Sequence, residues 1–173
     1  MNITTREGDD GLTGIIGKNR VSKAALRVEV MGGIDELVAF LGLARACNES
    51  NREINVVLKG IQIQLFNLGS SLASPDRSCK IHAIIKENKL LPYLEMLVDK
   101  YQLTKGEYTW AVPGDRTDVA FLEVTRVICR RVERTVVGLR DAGEYVEPLV
   151  IQYLNRLSDL LWLIGRWMER GEE

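Results

Sequence analysis

The sequence predicts an all-α protein: an up-and-down bundle of about five helices behind a Gly-rich N-terminal loop. Apolar residues recur at spacings of three and four from about Leu26 onward, the period of helices with one buried face. The four prolines fall between these stretches or in a first turn, and nothing resembles a run of strands. The chain has 173 residues, which fits one domain over 1–173, a loop at 1–25 followed by a bundle at 26–170. At 46% hydrophobic and 27% charged it carries enough apolar material for a real core, and a domain of this size hides roughly 70% of its unfolded surface. Long helices with short connections favour antiparallel neighbours.

The elements follow in order. Val30, Ile34, Leu37, Val38, Leu41 and Ala44 place a first helix from Leu26 to about Asn48. Ile54, Val57, Leu58, Ile61, Leu65, Leu68 and Leu72 place a second from Asn51 to Ala73, stopped by Ser74-Pro75. Residues 76–89 fit either a short helix or an extended crossover. Leu90 to Leu103 reads as a helix, with Asn88 a candidate cap and Pro92 in the first turn. After a loop marked by Gly106 and Pro113-Gly114 come two long helices, Thr117–Asp141 and Glu147–Met168, the second opened by Pro148.

Charge and cysteine content narrow the function classes. Lys and Arg number 23 against 24 Asp and Glu, a formal net charge of −1, which argues against affinity for nucleic acid or an anionic membrane surface. Cys47, Cys79 and Cys129 form no CxxC pair, and the N-terminus lacks the pattern of a signal peptide. A cytoplasmic location, with no membrane span, is expected. His82 is the one histidine, so neither a Ser-His-Asp triad nor a His-based metal cluster can be assembled, and no metal ligands are assigned to protein side chains.

Three features could carry chemistry. Gly8, Gly11, Gly14 and Gly17 do not form a Walker or GxGxxG motif, but with Arg6, Lys18, Arg20 and Lys23 they could bring backbone N–H groups and positive charge to a phosphate. A mobile tail is the plain alternative. On the helix at 117–141, Phe121, Val124, Val132, Thr135 and Leu139 gather around Ile128, while Glu123, Arg126, Arg130, Glu133 and Arg134 take the far side. Arg126, Arg130 and Arg134 stack like charges one turn apart, at a cost of about 0.2–0.5 kcal/mol per pair unless a carboxylate or bound anion answers them. Arg131 falls about 60° from the apolar centre and needs a partner or an exit to water. On the last helix Gln152, Asn155 and Asp159 share one face, either toward solvent or toward a crevice.

Several segments together resemble the PduO-type ATP:cob(I)alamin adenosyltransferases. TREGDDGLT at 5–13 fits the family's TRxGDxGxT opening, and RVSK follows at 20–23. IDELVAFLGLARA at 34–46, IQIQLFNLGSSLASP at 61–75, VPG at 112–114, RVICRRVER at 126–134 and YLNRLSDLLW at 153–162 complete the set in order.

The resemblance implies a five-helix bundle in a homotrimer with active sites between subunits. It implies that ATP is held by Thr5, Arg6, Gly8, Asp9, Gly11, Thr13 and Lys23 of a nucleotide-binding loop, joined by Arg130, Glu133 and Asn155. Arg130, Arg126 and Asp35 are the expected catalytic set, Arg126 pairing with Asp35 of the adjacent subunit. Mg²⁺ would travel with the triphosphate. The implied reaction moves the 5′-deoxyadenosyl group of ATP to the cobalt of cobalamin reduced by an external electron donor, and releases triphosphate. Trp110, Asp115 and Glu123 fall on the corrinoid side, where this chain departs from the family pattern, as it does at Val38 beside Asp35. Those departures keep a second reading in view, a non-catalytic ATP- or corrinoid-binding paralogue acting through partner recognition. A helical oligomerisation domain without ligands is the third.

Overall fold

The computed structural model describes residues 4–48, 51–103 and 112–170. Six helices are found among them: α1 Leu26–Cys47, α2 Arg52–Leu72, α3 Lys80–Glu87, α4 Leu90–Tyr101, α5 Thr117–Asp141 and α6 Pro148–Glu169. The five longer ones form the expected bundle. Helix α1 packs on α2 and α5, and α6 packs on α5 and α4. The core is a single cluster of branched side chains at the predicted spacings, such as Ile34, Leu37 and Leu41 of α1 with Leu58, Ile61 and Leu65 of α2. Gly33 lets α1 approach α5 closely, since a Cβ there would lie 3.0 Å from Cγ2 of the buried Val132.

The N-terminal segment departs from the expected loop by forming a small antiparallel hairpin, β1 Leu12–Ile15 and β2 Lys18–Ser22. Leu12 lies opposite Ser22 and Thr13 opposite Val21, with an irregularity before the Ile15–Lys18 pair. Gly17 makes the turn at φ +75°, a conformation that costs a side-chain-bearing residue. Strands this short, interrupted by Gly14, leave too little alternation to be seen in the sequence. The hairpin is tied to the bundle where the Ile16 amide donates to the Ala73 carbonyl at 3.1 Å. Nearby, the buried Arg27 of α1 donates to the Leu72 carbonyl at 2.7 Å and to Glu144 Oε2 at 2.8 Å, joining three connections at one end of the bundle.

The stretch at 76–89 resolves into α3, held down by His82. The ring is buried, with Nε2 3.0 Å from the Asp76 carbonyl and Nδ1 2.8 Å from Ser71 Oγ. A carbonyl only accepts, so Nε2 carries a proton and, in the neutral ring, Nδ1 accepts from Ser71. The lone histidine is therefore a packing residue. Asn88 caps the C-terminus of α3 rather than the start of α4, whose N-cap is Lys89 in the left-handed region at φ 49°. Helix α4 ends at Tyr101, and its other end of contact is α2, where Tyr101 donates to Glu53 Oε1 at 2.8 Å.

Helix α5 occupies the predicted span, but its buried face is wider than the apolar stripe because it packs on both α1 and α6. Leu122, Thr125, Cys129, Val132 and Val136 form its centre, and Val124 is 40% exposed. Cys129 is a packing residue: burial pushes its thiol well above the usual range, and Sγ donates to the Leu154 carbonyl at 3.3 Å. No helix among the described residues is long and apolar enough to cross a membrane.

Candidate functional site

The charged face of α5 turns toward α6, and the two helices enclose a recess of about 300 Å³ lined by Arg130, Glu133, Arg134, Val137 and Asn155. Three residues expected around ATP, Arg130, Glu133 and Asn155, are thus brought together by helical spacing on α5 and by the polar face of α6. A second recess of about 410 Å³ continues along the same helices toward α4, with Arg126, Arg130, Arg156, Asp159, Trp162 and Gln102 in its walls. Arg130 borders both. Among the described residues its guanidinium has no hydrogen bond or ion pair, and its exposed head is available to an anion.

The arginine stack resolves residue by residue. Arg126 donates through Nε to Glu123 Oε2 at 2.8 Å, and Arg134 Nη1 donates to the Arg130 carbonyl at 3.2 Å. Arg131 finds its partner in Glu36 of α1. Of the stack, only Arg126 meets a carboxylate among the described residues, so the like-charge strain remains between Arg130 and Arg134. Glu123, expected on the solvent side of the helix, is instead buried, because α6 brings Arg166 within 3.4 Å of its Oε1.

The N-terminal residues form a compact turn. Asp9 N–H donates to the Arg6 carbonyl, Gly11 N–H to the Gly8 carbonyl, and Lys23 N–H to the Gly11 carbonyl at 3.3, 3.2 and 2.9 Å. Gly11 has φ +79°, and Arg6 sits at φ 62°, which is uncommon for a residue with a side chain. Lys23 Nζ donates to the Gly8 carbonyl at 2.7 Å, and a Cβ at Gly8 would come within 2.9 Å of that Nζ. Thr5 accepts from the Glu7 amide at 3.4 Å, while Thr13 lies on β1. Arg20, noted in the sequence only as a charge, holds the turn together: its guanidinium bonds both Asp10 oxygens and the Leu12 carbonyl, and also reaches the Glu7 carbonyl. Asp10 is held below the ordinary carboxylate value by the Leu12 amide and then by Arg20.

The turn and the α5–α6 face do not meet in these recesses. Lys23 borders a third recess of about 260 Å³ on the other flank of α5, with Gly33, Glu36, Arg131 and Thr135. Asp35 is exposed on α1 and makes no ion pair among the described residues, while Arg126 answers to Glu123 of its own chain. Asp115 is exposed in the turn before α5, and Trp110 lies outside the described residues. The sequence reading passed over Trp162, Arg156 and Gln102. Trp162 continues the face of Gln152, Asn155 and Asp159 at the next helical step, so the same spacing contained it.

The chain is similar to known proteins over nearly its whole length. The sequence model of the cobalamin adenosyltransferase family matches residues 3–168. A cobalamin adenosyltransferase of Cupriavidus metallidurans is 33% identical over 98% of this chain and 89% of its own length. A corrinoid adenosyltransferase of Bacillus subtilis is 36% identical over 96% and 86%. Among solved structures, a variant PduO-type ATP:corrinoid adenosyltransferase from Lactobacillus reuteri complexed with cobalamin and ATP superposes with a TM-score of 0.84 at 30% identity, covering 98% of this chain and 94% of that one.

Proposed function

The chain belongs to the cobalamin adenosyltransferase family, and we propose that it transfers the 5′-deoxyadenosyl group of ATP to the cobalt of a reduced corrinoid, releasing triphosphate. The observation that carries this reading is Arg130, whose guanidinium is shared by two adjoining recesses and has no partner among the described residues. In the reaction the cobalt donates an electron pair to C5′, the C5′–O bond breaks, and the electrons leave with the triphosphate. Negative charge grows on the leaving group, and a fixed guanidinium beside it stabilises that charge without reorganisation.

The 300 Å³ recess, with Arg130, Glu133 and Asn155, suits the polar half of ATP. The N-terminal turn before β1 supplies backbone N–H groups and brings in the Lys23 ammonium, and Arg20 fixes its shape before ligand arrives. The 410 Å³ recess, with an apolar wall at Val98, Trp162 and Leu163 and polar groups at its rim, suits the corrinoid side. Its apolar wall would help to keep water from the reduced cobalt, which water would otherwise oxidise.

No group of three or more His, Cys, Asp or Glu side chains converges to hold a metal among the described residues. Mg²⁺ suits this arrangement as a companion of the triphosphate, since it is commonly bound through phosphate oxygens, waters and one or two carboxylates. Glu133 is the carboxylate of the recess.

Each site takes its N-terminal turn from one subunit and its α5–α6 face from the next, in a homotrimer. The separation of Lys23 and Arg130 into different recesses of one chain supports this, as does Asp35, exposed and without an ion pair among the described residues. Corrinoid reduction is the task of a separate electron donor. The three free thiols fit a reducing, cytoplasmic setting.

The test is anaerobic. Purified protein, ATP, Mg²⁺ and chemically reduced cobalamin are mixed, and the visible spectrum is followed for loss of Co(I). Catalytic consumption of Co(I) that requires ATP supports the transferase. ATP-induced thermal stabilisation without consumption would establish the binding paralogue instead; saturation at about 100 times Kd corresponds to about 2.7 kcal/mol.

A further inference from the structure

Glu123 differs from the other charged residues of α5 in being only 8% exposed. A carboxylate taken from water needs charged partners, and Glu123 has one for each oxygen. Oε2 accepts from Arg126 Nε at 2.8 Å, and Oε1 faces Arg166 Nη2 on α6 at 3.4 Å. Arg166 is itself 5% exposed, lies 2.6 Å from Glu169 Oε2, and places its guanidinium 5.9 Å from the Trp162 ring centroid. An ordinary surface pair three residues apart leaves a long arginine free to wander. Here the carboxylate is pinned by a second helix, so it selects one Arg126 rotamer. Its bond also engages Nε, leaving both Nη groups of Arg126 without a partner among the described residues, at the wall of the 410 Å³ recess.

We propose that Glu123 is a positioning residue for the corrinoid half of the reaction: anchored on α6 through Arg166, it grips Arg126 by Nε and so presents the two Nη groups to the recess that receives the corrinoid. This rests on the corrinoid-side reading of that recess. Glu123 touches neither substrate. It acts through Arg126, and its removal should therefore alter corrinoid affinity while sparing ATP.

The experiment is a double-mutant cycle on the full-length protein with Glu123→Gln, Arg126→Ala and the pair. KM for cob(I)alamin, KM for ATP and kcat are measured anaerobically. Glu123→Gln is expected to raise the corrinoid KM about tenfold with ATP KM within about twofold, and to add nothing further once Arg126 is alanine. An equal rise in both KM values, an undiminished Glu123→Gln effect in the Arg126→Ala background, or no corrinoid effect where Arg126→Ala has one would each overturn the proposal. If Arg126→Ala itself leaves the corrinoid KM unchanged, the corrinoid-side reading of the recess has failed, and the proposal falls with it. Glu123→Asp keeps the charge but retracts it by one methylene, and should give a smaller shift in the same direction. Should Glu123→Gln not fold, the Asp variant carries the same cycle and the same deciding outcomes.

Discussion

Arg20 reaches from β2 to both carboxylate oxygens of Asp10, at 3.0 and 2.8 Å, and closes the N-terminal turn over its own backbone. The bond joins residues on either side of β1 and gives a glycine-rich segment one shape. Arg20→Ala should therefore loosen the turn without touching the bundle core. ATP affinity should fall about tenfold, since the ordering cost is then met on binding, with the unfolding midpoint nearly unchanged. Titration calorimetry with ATP beside a thermal melt reads both quantities. Unaltered ATP affinity would show that the turn's shape is held by other contacts.

Among the described residues the Arg130 side chain makes no hydrogen bond or ion pair, so Arg130→Ala should leave stability within about 0.5 kcal/mol. Turnover should drop about 100-fold or more, because the developing charge on triphosphate loses a fixed donor. Stopped-flow decay of the Co(I) absorbance against a denaturant curve separates the two effects. Near-normal turnover would remove Arg130 from the catalytic set.

Lys23 and Arg130 offer a test of where one site ends and the next begins. If each site draws these residues from different subunits, Lys23→Ala and Arg130→Ala should both be impaired alone. Co-expressed in one oligomer, they should recover about a quarter of wild-type activity, since random mixing leaves that share of sites with both residues intact. No recovery from verified mixed oligomers would place both residues of each site in the same subunit.

Asp118 gives the fold a predictable response to acid. Burial pushes its carboxyl up, but Arg116 and the Val119 amide outweigh that and hold it below the ordinary 3.8. Arg116 bonds both of its oxygens and also reaches the Met168 carbonyl, tying the start of α5 to the end of α6. The folded form therefore binds this proton less readily than the unfolded form. Its contribution is present above pH 3.8 and is lost as pH falls through the lower folded value. Asp118→Asn should cost about 1 kcal/mol at pH 7, limited by the water around Arg116, and the gap to wild type should begin to narrow as pH falls below 3.8. Melts of both proteins from neutral pH down through the acid range check it; a gap that stays constant as the pH falls through and well below 3.8 would contradict the assignment.

The long helices were legible because their buried residues repeat faithfully: Thr117–Asp141 was bounded from pattern alone and stands at those residues. The hairpin was not, since four- and five-residue strands broken by Gly14 carry no usable period. Residues 76–89 stayed open because eight helical residues offer barely two turns, and what fixes them is the distant Ser71–His82 contact. Within the site, helical spacing placed Arg130, Glu133 and Asn155 on converging faces. It misplaced Glu123, whose burial depends on Arg166, 43 residues further along the chain. A period reports one helix's face, while ion pairs between helices depend on which neighbour that face meets.

The most direct test of the transferase is stoichiometric. In a single anaerobic turnover with limiting ATP and excess cob(I)alamin, the transferase should yield one adenosylated corrinoid and one intact inorganic triphosphate for each ATP consumed, quantified by chromatography. Consumption of ATP to ADP and phosphate, or triphosphate release without a matching cobalt–carbon bond, would contradict it.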